Sequence, residues 1–167
     1  MAYTIKGLAN DCRQALSQDD GLVGRERVRD LIACACADED FVASHLGESA
    51  TKERDILYED ADYGFCIIAH VYKGEKHSNP HDHGPSWAIY GQAAGTTTMT
   101  NWDVLSAPAG AAAGKVKAAK TYELSPGDAY LYDVGDVHSP SRDGETRLLR
   151  VEGMNMDTVT RDKYEVA

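Results

Sequence analysis

The chain has 167 residues, 43% of them apolar, 26% charged and 8% aromatic, and its 17 Lys and Arg face 27 Asp and Glu for a formal net charge of −10. That balance argues against a general affinity for nucleic-acid backbones or anionic membrane surfaces, and no apolar run approaches the ~20 residues that span a bilayer. The length fits one domain with a core of its own, and the start, MAYTIKGLAND, has neither the basic nor the long apolar segment of a secretory signal, so a soluble, cytoplasmic chain is expected.

In chain order, the first third reads as helix. Ile5, Leu8, Cys12 and Leu16 recur at three- and four-residue steps, which lines one face of a helix between Tyr3 and Leu16. A second helix follows the break at Gln18-Asp19-Asp20-Gly21 and carries Val23, Val28, Leu31, Ile32 and Ala35. A third, short one around Phe41, Val42 and Leu46 ends at Gly47, read as a glycine just past a helix end. From about Ile56 the texture changes to short β-rich runs separated by Gly, Pro, Asn and Asp. The expected strands are Asp55 to Glu59, Tyr63 to Tyr72, Ser86 to Tyr90, Thr96 to Leu105, Thr121 to Leu124, Ala129 to Tyr132 and Thr146 to Val151. Their spacing points to an antiparallel sandwich or barrel, a mainly β fold with the N-terminal helices packed against it. The small-residue stretch Ala107 to Ala119 is read as a mobile loop.

Cys12, Cys34, Cys36 and Cys66 show no zinc-like pairing and read as small packing residues with reduced thiols. Metal chemistry is sought instead among the six histidines. In Pro80-His81-Asp82-His83-Gly84 two imidazoles stand two residues apart, so on an extended backbone they share a face. Fifty-five residues after His83 comes Gly135-Asp136-Val137-His138, a third imidazole just after a strand and turn. A barrel can bring that distant position beside the first pair. Turn residues fill the intervening positions: Ser125-Pro126-Gly127-Asp128 and Asp133 to Asp136 are both strong turn signals, and the second would aim His138 inward.

These residues resemble the paired motifs of the cupin superfamily, G-x5-H-x-H-x3–4-E-x6-G and G-x5-P-x-G-x2-H-x3-N. His81, His83 and Gly95 match the first, and Gly127, Gly135 and His138 the second, over roughly residues 55–155. The resemblance implies a double-stranded β-helix (jelly-roll) barrel over residues 51–157, preceded by a helical segment at 1–50 and followed by a tail at 158–167, all in a single domain. It also implies one metal ion held by His81, His83 and His138. The usual glutamate ligand would fall at Trp87 or Ala88, neither of which binds metal, so the set is three neutral imidazoles with coordination positions left open.

Within that superfamily the run Pro80 to Gly91 is similar to the thiol dioxygenases. The likeness implies Fe(II), although imidazoles also accept zinc, nickel, manganese and copper, and it implies dioxygen added to a small thiol to give a sulfinate. A β-diketone-cleaving dioxygenase on the same ligands, or a barrel that binds a metal or small ligand without turnover, are the alternatives. The position of the Cys–Tyr crosslink in mammalian cysteine dioxygenase falls at Ala88, and the Ser-x-His-x-Tyr run of the thiol dioxygenases has no counterpart in Leu149 to Asn155. Arg54 lies close to where the substrate arginine of cysteine dioxygenase falls, with Arg147 and Arg150 as competitors. Those two are three apart on a strand, so at most one points inward. Tyr90 shares parity with Ala88 and is a candidate to bond iron-bound oxygen or substrate, whereas Trp87, of opposite parity, packs outside. His70 and His77 are read as neighbouring or surface groups. The expected partners are a small substrate and dioxygen, and the resemblance also admits a homodimer formed through sheet edges.

Overall fold

The computed structural model describes residues 3–167. Among them the first third forms α1 (Ile5–Gln18), α2 (Leu22–Ala37) and α3 (Glu39–Leu46). Local chemistry starts two of these helices: the Thr4 hydroxyl accepts from the Gly7 amide at 3.1 Å, and the Asp38 carboxylate accepts from the Phe41 amide at 3.0 Å. The buried positions of α1, Leu8, Ala9, Cys12, Ala15 and Leu16, make the single stripe that the apolar spacing implies.

The remainder is β1 (Asp55–Glu59), β2 (Cys66–Tyr72), β3 (Lys76–His77), β4 (Ala88–Ala94), β5 (Thr97–Ser106), β6 (Gly114–Leu124), β7 (Ala129–Tyr132), β8 (His138–Arg142), β9 (Thr146–Glu152) and β10 (Tyr164–Val166). One sheet runs β1-β2-β9-β4-β7 and the other β10-β6-β5-β8-β3. From β2 to β9 the pairing is nested: β2 bonds β9, β3 bonds β8, β4 bonds β7 and β5 bonds β6, all antiparallel. Further pairs, β4 with β9 and β5 with β8, wind this long hairpin into two curled sheets. Two antiparallel arms coiled together in this order are a double-stranded β-helix, the jelly-roll arrangement.

Strand alternation decides what faces where. On the first sheet Phe65, Ile67, Ala69, Ile89, Leu149 and Val151 point outward into one core with the buried faces of the helices. Each fully buried Phe, Ile, Leu or Val among them contributes roughly 1.5–3 kcal/mol. The helix layer comes very close at Gly91, where a Cβ would meet Ile32 Cγ2 at 2.4 Å. Ala88, Tyr90 and Tyr132 point the other way, into a smaller interior cluster with Met99 and Leu124. Trp87 joins the outer core, as its parity requires.

Four details differ from the sequence reading. The second half of the stretch Ala107 to Ala119 is strand, because β6 begins at Gly114 and bonds β5 on one side and β10, in parallel, on the other. Its inward residues there are only Gly114 and Val116, too few to leave an apolar signature. The short strands β3 and β8 escaped notice for a similar reason, being polar segments held by pairing. Gly47 ends α3 with φ −74°, outside the left-handed region; it is needed because a Cβ would lie 2.3 Å from the Ala43 carbonyl oxygen. Cys34 is exposed, whereas Cys12, Cys36 and Cys66 are buried and all four are free thiols. Among the described residues no helix is long and apolar enough to cross a membrane.

Candidate metal centre

His81 and His138 face each other as an isolated antiparallel bridge, exchanging backbone bonds of 3.0 Å and 2.9 Å. That pairing closes the fifty-five-residue gap between the two histidine segments. His83, two residues on, lies parallel to the His138 ring at 5.2 Å between centroids. One ligating nitrogen from each of the three rings lies within 4.8 Å of the other two.

The tautomers follow from the outer contacts. Nδ1 of His81 meets the Asn79 carbonyl at 2.8 Å and Nδ1 of His138 meets the Asp136 carbonyl at 3.0 Å. A carbonyl only accepts, so both Nδ1 atoms carry the proton and both Nε2 atoms present lone pairs. The turn that supplies the Asp136 carbonyl is itself held: the Asp133 amide donates to Asp136 Oδ2 at 2.8 Å, and the Asp133 carboxylate pairs with Arg25 of α2. A helix on the outer face thus steadies a ligand inside the barrel.

His83 is 2% exposed and His138 fully buried, with His81 half-buried beside them. Desolvation pushes all three imidazoles toward the neutral form: His81 falls to about 4, and His83 and His138 are held well below the ordinary histidine value, the Arg150 charge adding to the shift at His83. Nε2 of His83 and of His138 lie 3.1 Å and 3.3 Å from the Tyr90 hydroxyl. Burial raises the Tyr90 pKa, so that hydroxyl keeps a proton to donate where the nitrogens converge. Neutral imidazoles with unprotonated nitrogens aimed at one point are the donor set a divalent transition metal requires.

The carboxylate absent from the first histidine segment is supplied nearby, on another strand. Ala88 pairs with Glu152 of β9, and the small alanine leaves that carboxylate facing His83 Nδ1 at 3.8 Å. Nδ1 makes no hydrogen bond, so Glu152 acts on the ring through its charge at 3.8 Å, which favours the proton on Nδ1 and the lone pair on Nε2. Glu152, 1% exposed, also meets Arg54 at 3.3 Å and Arg150 at 3.5 Å.

The candidate substrate arginines separate. Arg150, across from Tyr90 in the β4–β9 ladder, lies over the Tyr90 ring at 4.3 Å and lines a cavity of about 360 Å³ that reaches His81. Arg147 points away and bonds the carbonyls of Leu46 and Ala50 at 2.8 Å and 3.3 Å. Arg54 is not among the residues lining that cavity; its guanidinium meets Glu152 at 3.3 Å and Asp157 at 2.9 Å. Sequence reasoning missed Glu152, Arg142 and Arg161, the last of these in the segment read as a tail. His70, read from the sequence as a neighbouring or surface group, is buried and shares the interior face of β2 with Tyr72, the two meeting at 3.1 Å between Nδ1 and the hydroxyl. Their alternation on a strand with Ile68 was the available signal. His77 is exposed and contacts Glu75 and Ser141.

No family model matches the chain, and no curated protein does. Solved structures similar to it include a cupin superfamily protein from Desulfitobacterium hafniense at 12% identity, covering 64% of this chain and 84% of that one, with a TM-score of 0.46. A protein from Neisseria meningitidis is 15% identical over 66% of this chain and 94% of its own, with a TM-score of 0.47. A Klebsiella pneumoniae protein with a double-stranded β-helix domain is 12% identical over 63% and 74%, with a TM-score of 0.45. Likenesses at this level say nothing of activity; what fixes the fold is the nested strand order. With that order, three helices on its outer face and three converging histidines inside, the chain has a double-stranded β-helix fold with a site that could hold a metal.

Proposed function

We propose that the chain is a metal-dependent oxygenase that adds dioxygen to a small thiol and gives a sulfinate. The balance is RSH + O2 → RSO2H: two S–O bonds form, the O–O bond breaks, sulfur loses four electrons and dioxygen takes them, so no co-reductant is needed. The observation that carries the reading is a carboxylate-free set of three imidazoles, each neutral, beside an arginine-lined cavity of about 360 Å³. His81, His83 and His138 would hold the metal, with Fe(II) as the ion implied by the likeness to thiol dioxygenases. Bound there, it would supply adjacent open positions for a thiolate and dioxygen.

The chain's own groups do the rest. The Tyr90 hydroxyl, kept protonated by burial, donates a hydrogen bond at the point where Nε2 of His83 and His138 converge. Arg150 holds the charge of a substrate tail, its position set by the Tyr90 ring and by Glu152. The barrel wall excludes bulk water and restricts the substrate to a few poses, which is where proximity adds to rate. Oxygen consumption by protein loaded with Fe(II), measured over a panel of thiols with sulfinate identified by mass spectrometry, tests this. Uptake only with a diketone supports the cleaving alternative, and no uptake with any compound supports a binding barrel. Metal analysis that finds zinc, or no metal, after purification without added metal counts against the oxygenase.

A further inference from the structure

The cavity beside the histidines carries more positive charge than the metal ligands explain. Arg142 lies on β8 with the same parity as His138, and it is 2% exposed. Among the described residues no carboxylate pairs with it, and two of its guanidinium nitrogens, Nε and Nη2, are buried without a hydrogen-bond partner. The Tyr72 ring lies 4.5 Å from its guanidinium carbon, an aromatic face that offers no hydrogen-bond acceptor to the two free donors. Arg150, on the adjoining wall, has an unpartnered Nε and shares Glu152, its one carboxylate among the described residues, with Arg54. Arg161 reaches the same cavity, and its Nη1 approaches the Asp82 carbonyl at 3.5 Å. Three guanidiniums thus stand against one carboxylate, in a chain whose net charge is −10.

A buried guanidinium with free donors and no counter-charge is costly unless something else supplies the charge. Burial also depresses the Arg142 pKa, the direction expected of a cation held without a partner. Guanidinium nitrogens in a fixed plane match oxyanions in pairs. We infer that Arg142 and Arg150, with Arg161 at the edge, form a subsite for the doubly negative end of a small ligand, a phosphoryl or phosphonyl group or a pair of carboxylates. Excess charge of two sets the dianion. The subsite stands on the arginine geometry alone; that its occupant is the tail of the oxidised thiol rests on the reading above.

The test uses the full chain stripped of metal by chelation. Inorganic phosphate and malonate, compared with acetate and chloride at constant ionic strength, are titrated by calorimetry and thermal shift. The expected result is saturable binding of a dianion, about tenfold or more tighter than acetate. Whichever of phosphate and malonate binds tighter tells a phosphoryl-type head from a dicarboxylate. Arg142→Met should abolish this response while leaving the melting temperature in anion-free buffer unchanged or raised, since it removes an unpaired buried charge. Arg29→Met, on the helix surface, should leave the response intact. Equal response to acetate, or a full response in Arg142→Met, overturns the subsite, as does no response in the parent chain. If Arg142→Met does not fold, Arg142→Lys serves: it keeps the charge but loses the planar pair of donors, and an unchanged affinity would count against the inference. The thiol reading fails separately, if dianions bind but Fe(II)-loaded protein consumes no oxygen with mercaptosuccinate or any other thiol.

Discussion

Glu152→Gln removes one charge and almost no volume from the wall of the barrel, and it should be felt in both stability and metal affinity. The carboxylate is 1% exposed, meets Arg150 at 3.5 Å and Arg54 at 3.3 Å, and faces His83 Nδ1 at 3.8 Å. The Arg54 contact is partly solvated, with 27% of that side chain exposed, so its share is at most about 1 kcal/mol. Arg150 is only 12% exposed in its side chain and has no other carboxylate among the described residues. Stranding such a cation costs about 3 kcal/mol. For a domain of this length that lowers the melting temperature by roughly 6–12 °C. Loss of the charge behind His83 should also weaken metal binding, by about 10-fold, the low end for an outer group, since the 3.8 Å approach is no hydrogen bond. Urea unfolding of the metal-free protein reads the first effect, and chelator competition reads the second. Arg150→Met combined with Glu152→Gln should regain much of the stability but none of the metal affinity, because the first effect belongs to the arginine and the second to the histidine. A single variant with unchanged melting temperature and unchanged metal affinity would refute the role given to Glu152.

Three further outcomes follow from the geometry. His81 has its pKa depressed to about 4 by burial, so between an unfolded value near 6.5 and that folded value the unfolded chain binds the extra proton; stability of the metal-free protein is therefore full above pH ~6.5 and falls as the pH drops toward 4, with His83 and His138 adding in the same direction. Urea midpoints that stay flat or rise from pH 7 to pH 5 would contradict this. Thiol titration at pH 8 should show one fast equivalent from exposed Cys34, with Cys12 and Cys36 pushed up to about 12 and Cys66 to about 11 by desolvation and reacting only on unfolding; a second fast thiol would place one of these three outside the core. Gly95→Ala should cost more than about 1 kcal/mol in urea unfolding, since Gly95 has φ +69° and a Cβ would lie 2.3 Å from the Glu145 carbonyl oxygen, and a neutral substitution would mean that the turn relaxes.

The parts of this protein legible in the sequence are those written in local periodicity. The apolar stripe of α1, the exact limits of β1 and β7, and the shared face of His81 and His83 depend on residues a few positions apart. Segments whose structure comes from partners left little trace. Residues 114–120 are strand because β5 and β10 flank them, although Ala and Lys there carry no β pattern. Glu152 is invisible as a neighbour of His83 until β9 is laid beside β4, and Arg54 and Arg150 look equally good until the same ladder turns one toward the Tyr90 ring and leaves the other with Asp157.

By itself the sequence determined the class of fold, the three imidazoles and the absence of a ligand carboxylate at positions 87 and 88, since side-chain chemistry and spacing are properties of the chain alone. Only the tertiary structure decided that a carboxylate returns from β9 behind His83, and that Arg142 and Arg161 join Arg150 around one cavity. Charge balance in a pocket is a sum over residues far apart in sequence, and it exists only once the two sheets have closed around it.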